Sequence, residues 1–77
     1  MALSPTNRFL REAYRIAGPA DYFRWADVAR ALGYSDDKSI RALHSLDQRK
    51  LLILLVEGNA RLLRAGRELA ARLDAAE

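Results

Sequence analysis

No cysteine occurs in the chain. Without thiols there is neither a disulfide framework nor a thiolate metal site, and a cytoplasmic protein is the simplest expectation. Histidine occurs once, as His44, which excludes a multi-histidine metal site. Long apolar runs are missing as well. The longest unbroken one, residues 51–56, is far shorter than the ~20 residues of a membrane-crossing helix. No apolar N-terminal run of signal-peptide type is present, so no membrane association is expected and the chain reads as soluble. Neither sign of charge dominates, since thirteen basic and ten acidic residues leave a formal charge of +3. Residues 1–34 hold five Arg against three acids, residues 35–50 four basic against three acidic, and residues 51–77 four of each. Such a balance names no partner unless folding gathers the charges. Eleven of the basic residues are Arg, the side chain suited to bidentate phosphate or carboxylate contacts, although base-composition bias raises Arg and Ala together.

What is present is apolar periodicity. A chain of 77 residues buries only roughly 60% of its unfolded surface, which leaves room for one domain spanning residues 1–77. Ser4 and Pro5 predict a helix start as N-cap and first helical residue. Phe9, Leu10, Ala13, Ile16 and Ala17 recur at helical spacing until Gly18-Pro19 ends the pattern. Residues 20–24 include Tyr22 and Phe23, which predicts a very short extended segment. A second helix over Trp25–Leu32 carries Trp25, Val28, Ala29 and Leu32 on one stripe and is closed by Gly33.

Ser35 is the predicted cap of a third helix, over residues 36–49, with Asp36 and Asp37 in the first turn where the helix dipole favours them. Ile40, Leu43 and Leu46 are expected inward, and Asp37, Lys38, Arg41, His44, Ser45 and Gln48 outward. A helix continuing from residue 51 to 63 would carry leucine on every side and place Gly58 and Asn59 in its middle. A β-hairpin is expected instead, with residues 51–56 as a strand packed on both faces, a Glu57-Gly58-Asn59 turn, and a return strand over residues 60–64 with Arg61 and Arg64 outward. Residues 66–76 complete the chain as a helix with Leu69, Ala70 and Leu73 inward. The expected class is mainly α with a small β-hairpin, α+β. Tyr14, Tyr22, Trp25 and Tyr34 are read as core or near-core residues, scattered too widely for a stacking surface.

Two helices joined by a tight glycine-containing turn and followed by a hairpin make up a helix-turn-helix with a wing. The stretch WADVARALGYSDDKSIRALHSLDQRKLL resembles the helix-turn-helix core of winged-helix transcription regulators, and GRELAARL is similar to the hairpin-to-helix transition of MarR-type members. The likeness covers roughly residues 7–74 and rests on apolar spacing and glycines, which bear on fold more than on function. Two departures stand out. Lys50 stands where the family usually has glycine, which suggests a longer or less abrupt turn, and Leu63 replaces the usual Thr cap of the last helix.

The resemblance implies a small DNA-binding regulator of transcription with the third helix in the major groove. Arg41 would then meet a guanine edge, Ser45, Gln48 and His44 neighbouring bases or phosphates, Lys38 a phosphate, and Arg61 the minor groove or backbone beside the wing. Double-stranded DNA is the expected partner. A homodimer through the last helix is suggested by alanines at 65, 70, 71, 75 and 76. Asp36, Asp37 and, at the wing tip, Glu57 would repel phosphate, which supports an alternative in which helix and wing bind a protein and no nucleic acid. No enzyme is expected: Asp36 and Asp37 point in different directions, no nucleophile–base arrangement is legible, and no cofactor or metal site is implied.

Overall fold

The computed structural model of the chain describes residues 3–76. Helix α1 (Pro5–Ala17) starts as its residues dictate, with Ser4 Oγ accepting from the Asn7 N–H at 3.1 Å. It ends at Gly18 (φ 59°), after which a 3-10 turn and Asp21 (φ 66°) redirect the chain. Strand β1 (Tyr22–Arg24) leads directly into α2 (Trp25–Leu32), and α3 (Asp36–Gln48) follows. Strands β2 (Leu52–Leu54) and β3 (Asn59–Leu62) flank a tight turn, and α4 (Arg64–Ala75) completes the order. The class is therefore α+β, with four helices and a small antiparallel sheet among the described residues. No helix among the described residues is long and apolar enough to cross a membrane.

The sheet has three strands in the order β1-β3-β2. The short extended segment expected near Tyr22 is thus β1, and it adds a strand to what the sequence suggested as a two-stranded hairpin, with Tyr22 opposite Arg61 and Phe23 opposite Ala60. One face of the sheet carries Phe23, Leu52, Ala60 and Leu62, all buried, and the other carries Tyr22, Ile53 and Arg61, all exposed. Helix α1 contacts each of the other three helices. Phe9, Leu10, Val28, Leu46 and Leu52 are almost wholly enclosed at the centre of the core.

Both ends of α4 are tied to α1 and the turn after it. Arg67 Nε and Nη2 reach Asp21 Oδ1 at 2.7 and 2.6 Å, and Nη2 also donates to the Gly18 carbonyl at 2.7 Å. The guanidinium lies 5.5 Å from the centre of the Tyr14 ring. Its hydrogen bond to Asp21 holds it above its usual pKa, against desolvation and with the Asp21 and Tyr14 charges adding. Since an arginine is protonated at any working pH, this upward shift brings no pH dependence. Near the other end, Arg15 Nε bonds Asp74 Oδ1 at 2.7 Å.

Several expectations need correction. Residues 51–56 are not packed on both faces: Leu51 and Leu52 are buried, whereas Ile53, Leu54, Leu55 and Val56 are exposed, because the hairpin projects beyond the helices that would cover it. The turn is Val56–Gly58, with positive φ at Glu57 (58°) and Gly58 (78°), while Asn59 is extended and its Nδ2 holds the turn through the Val56 carbonyl at 3.1 Å. Arg64 is the first residue of α4 and not part of a strand, and Leu63 precedes it without a side-chain cap. Ile16, Ile40 and Tyr22 are exposed. Ile40 gives way because Ser39, Ala42, Leu43 and Leu46 form the buried stripe of α3, leaving residue 40 at its margin. Ala70 is fully buried in the core, and at about 100° per residue the alanines at 65, 70, 71, 75 and 76 do not share one face.

The turn after α3 is also tighter than Lys50 suggested. Leu51 N–H bonds the Leu46 carbonyl at 3.0 Å and Lys50 N–H the Asp47 carbonyl at 3.0 Å, the pairing of a Schellman motif with Lys50 in its left-handed position (φ 60°). Burial of Leu46 and Leu51 on either side holds the strained residue in place. Relief of that strain outweighs the extra chain entropy of glycine, so Lys50→Gly is expected to raise stability by about 0.5–1 kcal/mol. Urea unfolding followed by circular dichroism reads this as a higher midpoint at unchanged slope, and a lower midpoint would show that Lys50 makes a stabilising contact of its own.

Candidate functional site

The α2–α3 connection positions the most exposed helix of the domain. Gly33 (φ 69°) lets the chain turn back, with Tyr34 N–H bonded to the Ala29 carbonyl at 2.9 Å and Gly33 N–H to that of Arg30 at 3.3 Å. Two residues later Ser35 Oγ accepts from the Lys38 N–H at 3.2 Å and starts α3. Tyr34 fixes this corner to α1: its hydroxyl donates to the Pro5 carbonyl at 3.1 Å, and its ring stacks on Phe9 with centroids 6.4 Å apart. Lys38 Nζ lies 4.2 Å above the same ring, so the expected phosphate ligand already has a cation–π partner.

Around α3 the exposed residues divide into two flanks. Lys38 and Arg41 line a depression shared with Pro5 and Thr6 at the start of α1, where the dipole of α1 adds positive potential. Ser45 lies on the same side, half-buried. The other flank is apolar. Ile40 and His44 line a groove with Trp25, Leu43, Leu54 and Leu55, closed at the hairpin tip by Gly58 and Asn59. Gln48 is exposed farther along α3.

Of the six residues that sequence reasoning selected, Lys38 and Arg41 are brought together, His44 is turned toward the apolar groove, and Arg61 is separated from the set. Arg61 lies on the outer face of the sheet, opposite Tyr22 on one side and Ile53 on the other, with its guanidinium 5.6 Å from the Tyr22 ring centre. The outer face is the side turned away from the buried row, hence away from the helices. Arg24, which shares that face by alternation and is exposed, escaped notice. Its signal was the Tyr22-x-Arg24 spacing, too short to be read without the pairing partner. The apolar residues of the hairpin carry no such signal in the sequence, because an unbroken apolar run reads as core.

Among the described residues, the buried side-chain atoms Asn7 Oδ1 and Ser39 Oγ have no hydrogen-bond partner. Among the described residues no group of three or more His, Cys, Asp or Glu is placed to hold a metal ion. The surface of α3 and the hairpin thus offers charge, hydrogen-bond donors and apolar area, the means of non-covalent binding. In comparison with known proteins, no family model matches this chain and no curated protein matches it at a significant level.

Proposed function

We propose that the chain is a winged helix-turn-helix module that binds double-stranded DNA, as a small regulator of transcription, with α3 in the major groove and the β2–β3 hairpin alongside. The observation that carries this reading is the pairing of Lys38 and Arg41 on one exposed flank of α3 beside the start of α1. Phosphate is attracted there by two side-chain cations and by a helix N-terminus at once. In support, the order α2, three-residue turn, α3, hairpin matches the architecture that presents its second helix to DNA. Arg41 is the residue for a guanine edge, Lys38 for a phosphate, and Ser45 and Gln48 for neighbouring contacts. Arg61 belongs with Arg24 and Tyr22 on another face and takes no part in this docking.

A second reading has its own observation: the groove lined by the apolar side chains Trp25, Ile40, Leu43, Leu54 and Leu55, with His44 and Asn59 at its edge, is open, which suits an amphipathic protein segment better than a phosphate backbone. Fluorescence anisotropy of a labelled random-sequence duplex, at two salt concentrations, separates the two. DNA binding that weakens with salt and is lost in Arg41→Glu is expected, because each phosphate contact releases counterions. On a selected target site, Arg41→Ala is expected to weaken binding by about 1–3 kcal/mol. No binding at low salt with high micromolar protein would remove the DNA reading in favour of the apolar groove.

A further inference from the structure

We propose that two copies of this chain associate through the free edge of β2, antiparallel and in a register centred on Ile53. This stands whether or not the module binds DNA. Strand β2 is an outer strand of the sheet, and its hydrogen bonds to β3 alternate. Leu63 N–H bonds the Leu51 carbonyl at 3.0 Å, Ile53 faces Arg61, and Leu55 N–H bonds the Asn59 carbonyl at 2.9 Å. The backbone groups of Leu52 and Leu54 therefore point away from the sheet. Soluble proteins blunt such an edge with lysine, proline or a bulge. Here the strand is short, three residues, but no lysine or proline lies within residues 51–56, which are all apolar, and Ile53 (44% exposed), Leu54, Leu55 and Val56 (78%) lie open to solvent. The other outer strand, β1, has Asp21 before it, Arg24 within it and α2 directly after it.

Charge selects the occupant. The edge is bounded by Arg49 and Lys50 at one end and Glu57 at the other, all exposed. A second copy laid antiparallel, with Ile53 opposite Ile53, pairs Leu52 with Leu54 in both directions through their outward backbone groups. The antiparallel order also turns the basic end of each copy, Arg49 and Lys50, toward the Glu57 end of the other, so opposite charges flank both ends of an apolar centre. A strand of different sequence has no reason to match this pattern, whereas the two-fold arrangement satisfies it twice. The four exposed apolar side chains would be drawn out of water around the new strand pair.

The absence of cysteine supplies the test. In this register residue 53 forms a non-hydrogen-bonded pair with its own copy, with Cα atoms about 4.5 Å apart, inside the range a disulfide spans. Mild oxidation of Ile53→Cys is expected to give a covalent dimer on a non-reducing gel, while Ala75→Cys on α4 stays monomeric. Sedimentation equilibrium of the unaltered chain is expected to show a monomer–dimer equilibrium. Ile53→Lys, changing an exposed side chain, is expected to weaken that equilibrium by about tenfold or more by placing like charges opposite each other, with an unaltered far-ultraviolet spectrum. A monomer mass at high micromolar concentration would overturn the proposal. So would cross-linking through Ala75→Cys and not Ile53→Cys, which would place the contact on α4.

Discussion

Gly66→Ala is expected to destabilise the domain by about 3 kcal/mol or more, although alanine is the better helix former by about 1 kcal/mol. Gly66 is buried in the first turn of α4, and a Cβ built on it would fall 1.8 Å from the Leu51 carbonyl oxygen and 2.8 Å from the Leu51 carbonyl carbon. The obstacle is backbone, and that same carbonyl already accepts from the Leu63 N–H, so no flexible side chain can yield. Relief requires α4 to lift away from the strand, which would disturb the burial of Ala70 and the Arg67 and Arg15 ties to Asp21 and Asp74. Against a total stability typically of ~5–15 kcal/mol the loss is large. Thermal and urea unfolding followed by circular dichroism measure it. A gain of about 1 kcal/mol, the bare propensity difference, would mean that α4 does not approach Leu51 this closely.

Phe9→Ala is expected to cost about 3–5 kcal/mol, the range for emptying a fully enclosed aromatic site. Phe9 has no exposed surface and stacks on Tyr34, whose hydroxyl holds Pro5 and whose ring lies under Lys38. The loss therefore has a local consequence beyond the cavity. With the stacking partner gone, the corner between α2 and α3 keeps the Tyr34–Pro5 hydrogen bond but loses its packing on α1, and the Tyr34 amide, bonded to the Ala29 carbonyl, is expected to exchange with solvent faster than global unfolding alone would allow. Denaturant unfolding gives the first quantity and amide exchange by NMR the second. Equal acceleration at every protected amide would show that the ring serves the core only and does not position α3.

The candidate site was legible where a single residue type reports local geometry. Ser35, Gly33 and the spacing of Leu43 and Leu46 were enough to place α3 and to put Lys38, Arg41 and Gln48 on solvent. Its division into two flanks was not, because that depends on what stands beside the helix: the start of α1 next to Arg41, the hairpin and Trp25 next to His44. Arg61 shows the same limit. Its outward direction followed from strand alternation, but which outside it faced depended on β1 joining the sheet.

For the fold, caps, turn glycines and apolar periodicity by themselves determined the number and order of helices, the existence of a hairpin after α3 and the α+β class. These signals act between residues a few positions apart, and their energies do not depend on the rest of the chain. Tertiary structure alone decided which apolar residues are enclosed, since a run such as 51–56 is buried only as far as other elements reach to cover it. It also decided the roles of two residues. Gly66, a weak helix former inside a helix, is demanded by the passing Leu51 carbonyl. Lys50 is held in a glycine-like conformation by Leu46 and Leu51 packing on either side of it. Both depend on contacts between segments distant in sequence or held by the assembled core, and no local pattern of residues encodes them.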